Sequence, residues 1–292
     1  MPDHQDAVIA WLGEAVDPAA LGGKGASLDR LIRMGFRVPP GFCITTAGFR
    51  AQRSSLDSNG WSGEGPPPWL EDLASGSLVP EVAAPLAKAV ERLVDELRAT
   101  GVAGPRFAVR SSAIGEDGSV ASYAGLHETE LDLDAGAVAG AVARCWASLW
   151  SPAALAYRVR RALPIDDTAM AVVVQALVPA DAAAVAFTRH PVTGREDQLV
   201  ITAVRGLGDS MVSGSVTPDT YVVDKTSRTT LDLEPGEDPE GPALDDKALA
   251  DLIDLALSVE AGFEAAVDIE AARALGSWYL LQARPITALA TA

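Results

Sequence analysis

Cysteine, histidine and positive charge are all scarce in this chain. Only Cys43 and Cys145 occur, far apart and without a CxxC spacing, so neither a disulfide framework nor a zinc site is indicated and both are expected to be buried small apolar residues. The three histidines, His4, His127 and His190, leave little room for histidine-based catalysis within the chain. Lys and Arg number 23 against 40 Asp and Glu, a formal net charge of −17 that repels nucleic acid and anionic membranes. Any phosphate site must therefore be built from a few placed cations. No apolar run approaches the roughly 18–20 residues that span a bilayer, and the N-terminus, MPDHQDAVIAW, lacks the basic start and apolar core of a signal peptide. The expectation is a cytoplasmic protein that touches no membrane. Its 292 residues, 48% of them hydrophobic, suffice for one large or two medium domains with a substantial core.

Near the end, Val267-Asp268-Ile269-Glu270 and Trp278-Tyr279-Leu280-Leu281-Gln282-Ala283-Arg284-Pro285 alternate apolar with polar residues, the period of half-buried strands. A hairpin centred on Gly276 sets Glu270 opposite Gln282 and Asp268 opposite Arg284, placing four polar side chains on one face. A carboxylate beside an amide oxygen suits a hard cation such as Mg²⁺, and a guanidinium neutralises phosphate. The same pattern also describes a solvated sheet face with one salt bridge.

Leu21-Gly22-Gly23-Lys24-Gly25-Ala26-Ser27-Leu28 reads as a glycine-rich loop opening a helix that stops at Gly35. Helix N-termini attract anions and Lys24 adds a point charge, although the spacing is not that of a Walker A loop. A solvated lysine fits equally. Val38 to Thr46 reads as a turn into a buried strand, residues 54–68 as a Ser/Gly/Pro-rich excursion, and Pro85–Thr100 as an amphipathic helix. Phe107 to Arg110 is a strand entering a Ser- and Gly-rich loop. Such a loop can wrap phosphate oxygens, with Arg110 for charge, Gly125 for close backbone approach and the Thr129 hydroxyl. Ala171–Val178 is a strand apolar on both faces except for Gln175, whose amide needs either an adenine edge or a backbone carbonyl. Strands follow at Ala183–Thr188 and Leu199–Val204. The run from Arg205 to Tyr221 is spaced wrongly for a dinucleotide fingerprint, and leaves a second backbone-lined surface open. His190 reads as a surface loop residue. A polar stretch over 226–246 and a last helix with Leu249, Leu252, Ile253 and Ala256 on one face precede the hairpin.

In order, GGKGASL, VPPGF, FAVRSSAIGED with SYAGLHET, the VVVQ strand, AFTRHPVTG, GLGDSMVSGSVTPDTY, and DIE with LQARP resemble the N-terminal ATP-binding domain of the phosphoenolpyruvate synthase, pyruvate phosphate dikinase and rifampin phosphotransferase family. The resemblance covers nearly the whole chain. It implies an α+β ATP-grasp fold in which two lobes hold ATP: residues 1–176, carrying a phosphate loop at 106–129, and residues 177–292, carrying the Mg/phosphate hairpin. It implies that Lys24 and Arg110 contact ATP phosphates, that Gly125 and Thr129 line the phosphate loop, and that Gln175 lies near the nucleotide. Glu270 and Gln282 would hold Mg²⁺, with Arg284 on the phosphates. Lys24, Arg110 and Arg284 are thereby the candidate catalytic residues. The family commonly has Thr at Ile114, Glu at Asp209, Trp at Ala271 and an Asp-Gly turn where Ala274-Leu275 stands.

The full-length enzymes also carry a phosphohistidine domain and a substrate domain, and no threonine-serine-histidine carrier motif occurs in these residues. The expected activity is phosphoryl or pyrophosphoryl transfer from Mg·ATP to a histidine on a separate carrier protein or to a small molecule. The alternatives are a non-catalytic nucleotide-binding regulatory module and an excised domain of a larger enzyme of this kind.

Overall fold

The computed structural model describes residues 7–56, 65–113, 129–161, 169–208, 211 and 214–286. They form a mixed α/β structure with two sheets, each antiparallel throughout its described ladders. The chain divides into two compact units, one of residues 1–30 and 40–177, the other of residues 31–39 and 178–292.

In the first unit, β1 (Ile9–Trp11), β2 (Gly41–Ile44), β3 (Phe107–Ala113), β4 (Thr129–Leu133) and β5 (Met170–Ala176) assemble in the order β1-β2-β5-β3-β4. Alternation decides the faces. Phe42, Ile44, Phe107, Val109, Val172 and Val174 turn into a core. Buried residues of α2 (Thr46–Ser54), α3 (Leu70–Ala74), α4 (Pro80–Ala99) and α5 (Val138–Ala147) complete that core, while α6 (Pro152–Arg161) follows a short 3-10 turn at Ser148–Trp150. α4 begins a turn earlier than the expected Pro85. Pro80 occupies the first turn, where a missing N–H costs nothing, and Pro85 forfeits one bond to the carbonyl of exposed Glu81. Burial of Val82, Leu86, Leu93 and Leu97 outweighs that loss.

α1 (Pro18–Arg33) lies on the opposite face of this sheet. A Cβ on Gly25 would come within 2.7 Å of Cys43 Sγ, so only a residue without a side chain permits this approach. Cys43 is fully buried, and burial pushes its thiol well above the usual range, which makes it an inert packing residue as expected; Cys145 is likewise buried and in no disulfide. α1 ends as Gly35 foretold. Gly35, at φ 85°, donates to Ile32, and Phe36 donates to Leu31, the paired bonds of a Schellman stop.

The second unit holds β6 (Ala182–Phe187), β7 (Gln198–Arg205), β8 (Asp219–Asp224), β9 (Thr230–Glu234), β10 (Val267–Ala274) and β11 (Ser277–Pro285), in the order β11-β10-β6-β7-β8-β9. One face packs on α7 (Asp246–Phe263), with Leu252, Ile253, Ala256 and Val259 against Ile201, Val223, Ile269 and Leu280. Asp245 caps the helix by accepting from the Ala248 amide at 2.6 Å. The other face of β6, β7 and β8 carries half-buried Val185, Phe187, Thr202 and Thr220.

Candidate functional site

In the first unit the glycine-rich segment does not precede the helix but interrupts it. Gly22, at φ 68° and ψ 178°, breaks α1, and the helix restarts at Gly23, placing half-buried Lys24 in a fresh first turn. That backbone region is open essentially to glycine alone. Arg110 lies on β3 on the face away from the core, with Thr129 of β4 directly opposite it on one side and Val173 of β5 on the other. Gln175 lies on that same face, opposite Ala108 and Gly41, and is 2% exposed. The face that α1 covers therefore gathers Arg110, Thr129 and Gln175 within one unit. Gly125 and His127 fall in 114–128, outside the described residues, as does most of the expected excursion at 54–68.

Ser112 is a member of this face that the sequence reading passed over. Its hydroxyl accepts from the Gly25 amide at 3.0 Å and donates to the Leu21 carbonyl at 2.7 Å. Strict alternation along Phe107–Ala113 puts Ser112 beside Arg110, so the signal was present in the strand's period.

In the second unit the hairpin pairs Glu270 with Gln282 and Asp268 with Arg284, as expected, but by a different route. The turn is a two-residue loop, Leu275–Gly276, closed by the Ala274–Ser277 pair; both loop residues have positive φ, 51° and 72°. Continued without interruption, that register would set Glu270 opposite Leu281 and Asp268 opposite Ala283. A bulge at Leu281 shifts β11 by one residue. Trp278, Leu280 and Ala283 keep the core face, while Gln282 and Arg284 join Asp268 and Glu270 on the other.

Arg284 donates Nε and a terminal nitrogen to the same Asp268 oxygen, at 2.8 and 2.7 Å. Asp268 is 8% exposed, and burial raises its pKa above the ordinary carboxylate value despite the guanidinium beside it; Glu270 adds to the rise. Gln282 is buried and Glu270 half-buried. Across β10, Val185 pairs with Glu270 and Phe187 with Asp268, so an apolar shelf borders the polar four. Among the described residues no group of three or more His, Cys, Asp or Glu is arranged to hold a metal. One carboxylate with one amide oxygen suits Mg²⁺, which keeps waters and takes phosphate oxygens, rather than an ion needing an all-protein cage.

The run from Arg205 to Tyr221 holds its charges differently. Arg205 pairs with Asp238 at 2.9 Å, and buried Asp219 accepts from the Gly236 and Ala243 amides at 2.7 and 2.6 Å. Both fasten the 236–243 loop. His190 Nδ1 accepts from the Val192 and Thr193 amides, closing its own turn. No helix among the described residues is long and apolar enough to cross a membrane.

The model of the pyruvate phosphate dikinase AMP/ATP-binding domain matches residues 71–292, which include every proposed site residue except Lys24. The prodigiosin synthesizing transferase PigC of Serratia marcescens is 36% identical over 94% of this chain and 32% of its own length. A probable phosphoenolpyruvate synthase of Methanocaldococcus jannaschii is 34% identical over 96% of the chain and 27% of its length. A rifampicin phosphotransferase of Streptomyces sviceus is 35% identical over 93% and 34%. The chain thus spans 27% to 34% of the length of these three relatives. Matched over most of its residues, the chain belongs to the pyruvate phosphate dikinase AMP/ATP-binding domain family.

Proposed function

We propose that the chain binds Mg·ATP through an ATP-grasp arrangement and donates a phosphoryl or pyrophosphoryl group to a histidine presented by another domain or protein, or to a small molecule. Lys24, Arg110, Thr129 and Gln175 of the first unit and Glu270, Gln282 and Arg284 of the second serve one nucleotide in this reading, together with Gly125. The observation that carries it is the Leu281 bulge. The bulge keeps Gln282 and Arg284 off the face packed on α7 and sets them opposite Glu270 and Asp268, the alignment that a metal and phosphate set would use.

Glu270 and Gln282 would hold Mg²⁺, whose role is to neutralise phosphate charge and keep the phosphate oxygens aligned. The protein groups act by position and charge. Lys24, in a helix first turn, and Arg110, on a rigid strand, hold phosphate oxygens; Arg284 neutralises charge that builds as the transferred group leaves. Arg284 is held in place by Asp268, so its fork is oriented before substrate arrives. Buried Gln175 offers an amide for a base edge.

The test is a calorimetric titration with ATP in Mg²⁺ and in EDTA, followed by transfer from γ- or β-labelled ATP with and without a candidate phosphohistidine protein. Saturable Mg-dependent binding and label on the acceptor are expected. No ATP binding overturns the reading. Binding with no transfer to any acceptor leaves a nucleotide-binding regulatory module in its place.

A further inference from the structure

α1 has an unusual start to its second part. At a helix N-terminus, the side-chain oxygen of the residue at the break commonly accepts from the N–H three positions on. Gly22 occupies that break and has no side chain. None fits, because a Cβ there would overlap the carbonyl oxygen of Ser112. The missing oxygen comes from the neighbouring strand. Ser112 Oγ, 87 residues distant in sequence, accepts from Gly25, the third residue after the break, and donates to Leu21, the residue before it. Both sides of the kink are thus tied to one atom on β3.

Ser112 is 0% exposed, so water does not compete for these bonds. The geometry also selects the residue type. A carboxylate accepts but cannot donate to Leu21, and an alanine does neither; a hydroxyl does both through one small uncharged atom, where a carboxamide would need two and more room. Lys24 sits between the two tied residues, and Arg110 lies two positions earlier on the same face of β3. We propose that Ser112 is a positioning residue for Lys24: it caps the helix from the adjacent strand and thereby fixes the lysine backbone in register with Arg110. This rests on the reading of Lys24 and Arg110 as phosphate ligands.

The experiment compares wild type, Ser112→Ala, Ser112→Thr, Lys24→Ala and the Ser112→Ala/Lys24→Ala double variant. The first readout is amide hydrogen exchange, which needs no nucleotide. Gly25 should exchange about tenfold faster or more in Ser112→Ala, consistent with one lost buried hydrogen bond, while β5 amides stay at wild-type rates and Ser112→Thr stays close to wild type. The second readout is ATP affinity. Ser112→Ala should weaken it by about tenfold, and the double variant should bind no worse than Lys24→Ala, because the serine acts through the lysine.

Unchanged exchange at Gly25 overturns the cap, and fully additive losses in the double variant overturn the positioning role. A purely structural serine would speed exchange across the whole sheet and leave ATP affinity per folded molecule unchanged, which also overturns it. If wild type itself does not bind ATP, the nucleotide reading fails, and exchange at Gly25 and Lys24 still decides the cap. Should Ser112→Ala not fold, Ser112→Cys, similar in size and a poor hydrogen-bonding partner, serves the same comparison.

Discussion

The two units place their charged groups by different physical means. In the first, Lys24 and Arg110 are set by backbone fit: a glycine that alone tolerates its φ and ψ, a second glycine that clears Cys43, and one neutral buried hydroxyl. In the second, Arg284 is set by strand register and by an ion pair with a buried carboxylate. The difference teaches where each unit is fragile. Steric change should damage the first, whereas pH, charge and metal should govern the second.

The largest effect is expected at Gly22. Ala there meets both a backbone region hostile to side chains and the Ser112 carbonyl, at a cost of roughly 3 kcal/mol or more. Urea unfolding of Gly22→Ala should show this loss, and a change below about 0.5 kcal/mol would break the contrast. Next come the charges proposed to face the nucleotide. Lys24→Ala should weaken ATP binding by about tenfold in Mg²⁺ and in EDTA alike, while Glu270→Ala should do so only in Mg²⁺. Equal metal dependence for the two variants would erase the distinction between the units.

A pH series probes Asp268. Its folded pKa lies above the unfolded value near 3.8, because burial outweighs the attraction of Arg284. The stabilisation from its protonation is therefore complete below that value and is lost as pH rises through the folded pKa, each unit of separation being worth about 1.4 kcal/mol. As pH rises from about 4 through the folded pKa, the unfolding midpoint of Asp268→Asn should accordingly fall less than that of wild type. A variant that tracks the wild type would remove Asp268 from the pH response. The smallest effect is at the hairpin tip, where Leu275 holds φ 51° and is 95% exposed. Leu275→Asn, suited to a positive φ beside Gly276, should stabilise by about 0.5–1 kcal/mol in the same urea assay.

Much of the scaffold was legible from period and punctuation. Gly35 marked the stop of α1, the alternation of Val267–Glu270 marked β10, and Leu252, Ile253 and Ala256 marked the buried stripe of α7. The opposition of Glu270 with Gln282 was also legible, although the symmetric turn assumed for it is not the one formed. The pairing survives because a two-residue loop and a bulge displace the register by compensating amounts. The start of α4 is not legible, because Pro85 looks like a boundary and only tertiary burial of Val82 shows why the helix extends beyond it.

The sequence alone determined which residue types could meet phosphate and metal, because charge, hydrogen-bonding capacity and strand or helix period are local properties. It also determined the family, because the motifs and their order are written along the chain. Tertiary structure alone decided that Ser112 caps a helix some ninety residues away, that Gly22 must be glycine, and that Leu281 bulges. Each of these depends on which backbone atoms lie within about 3 Å of one another, and that is fixed only when sheets and helices have packed.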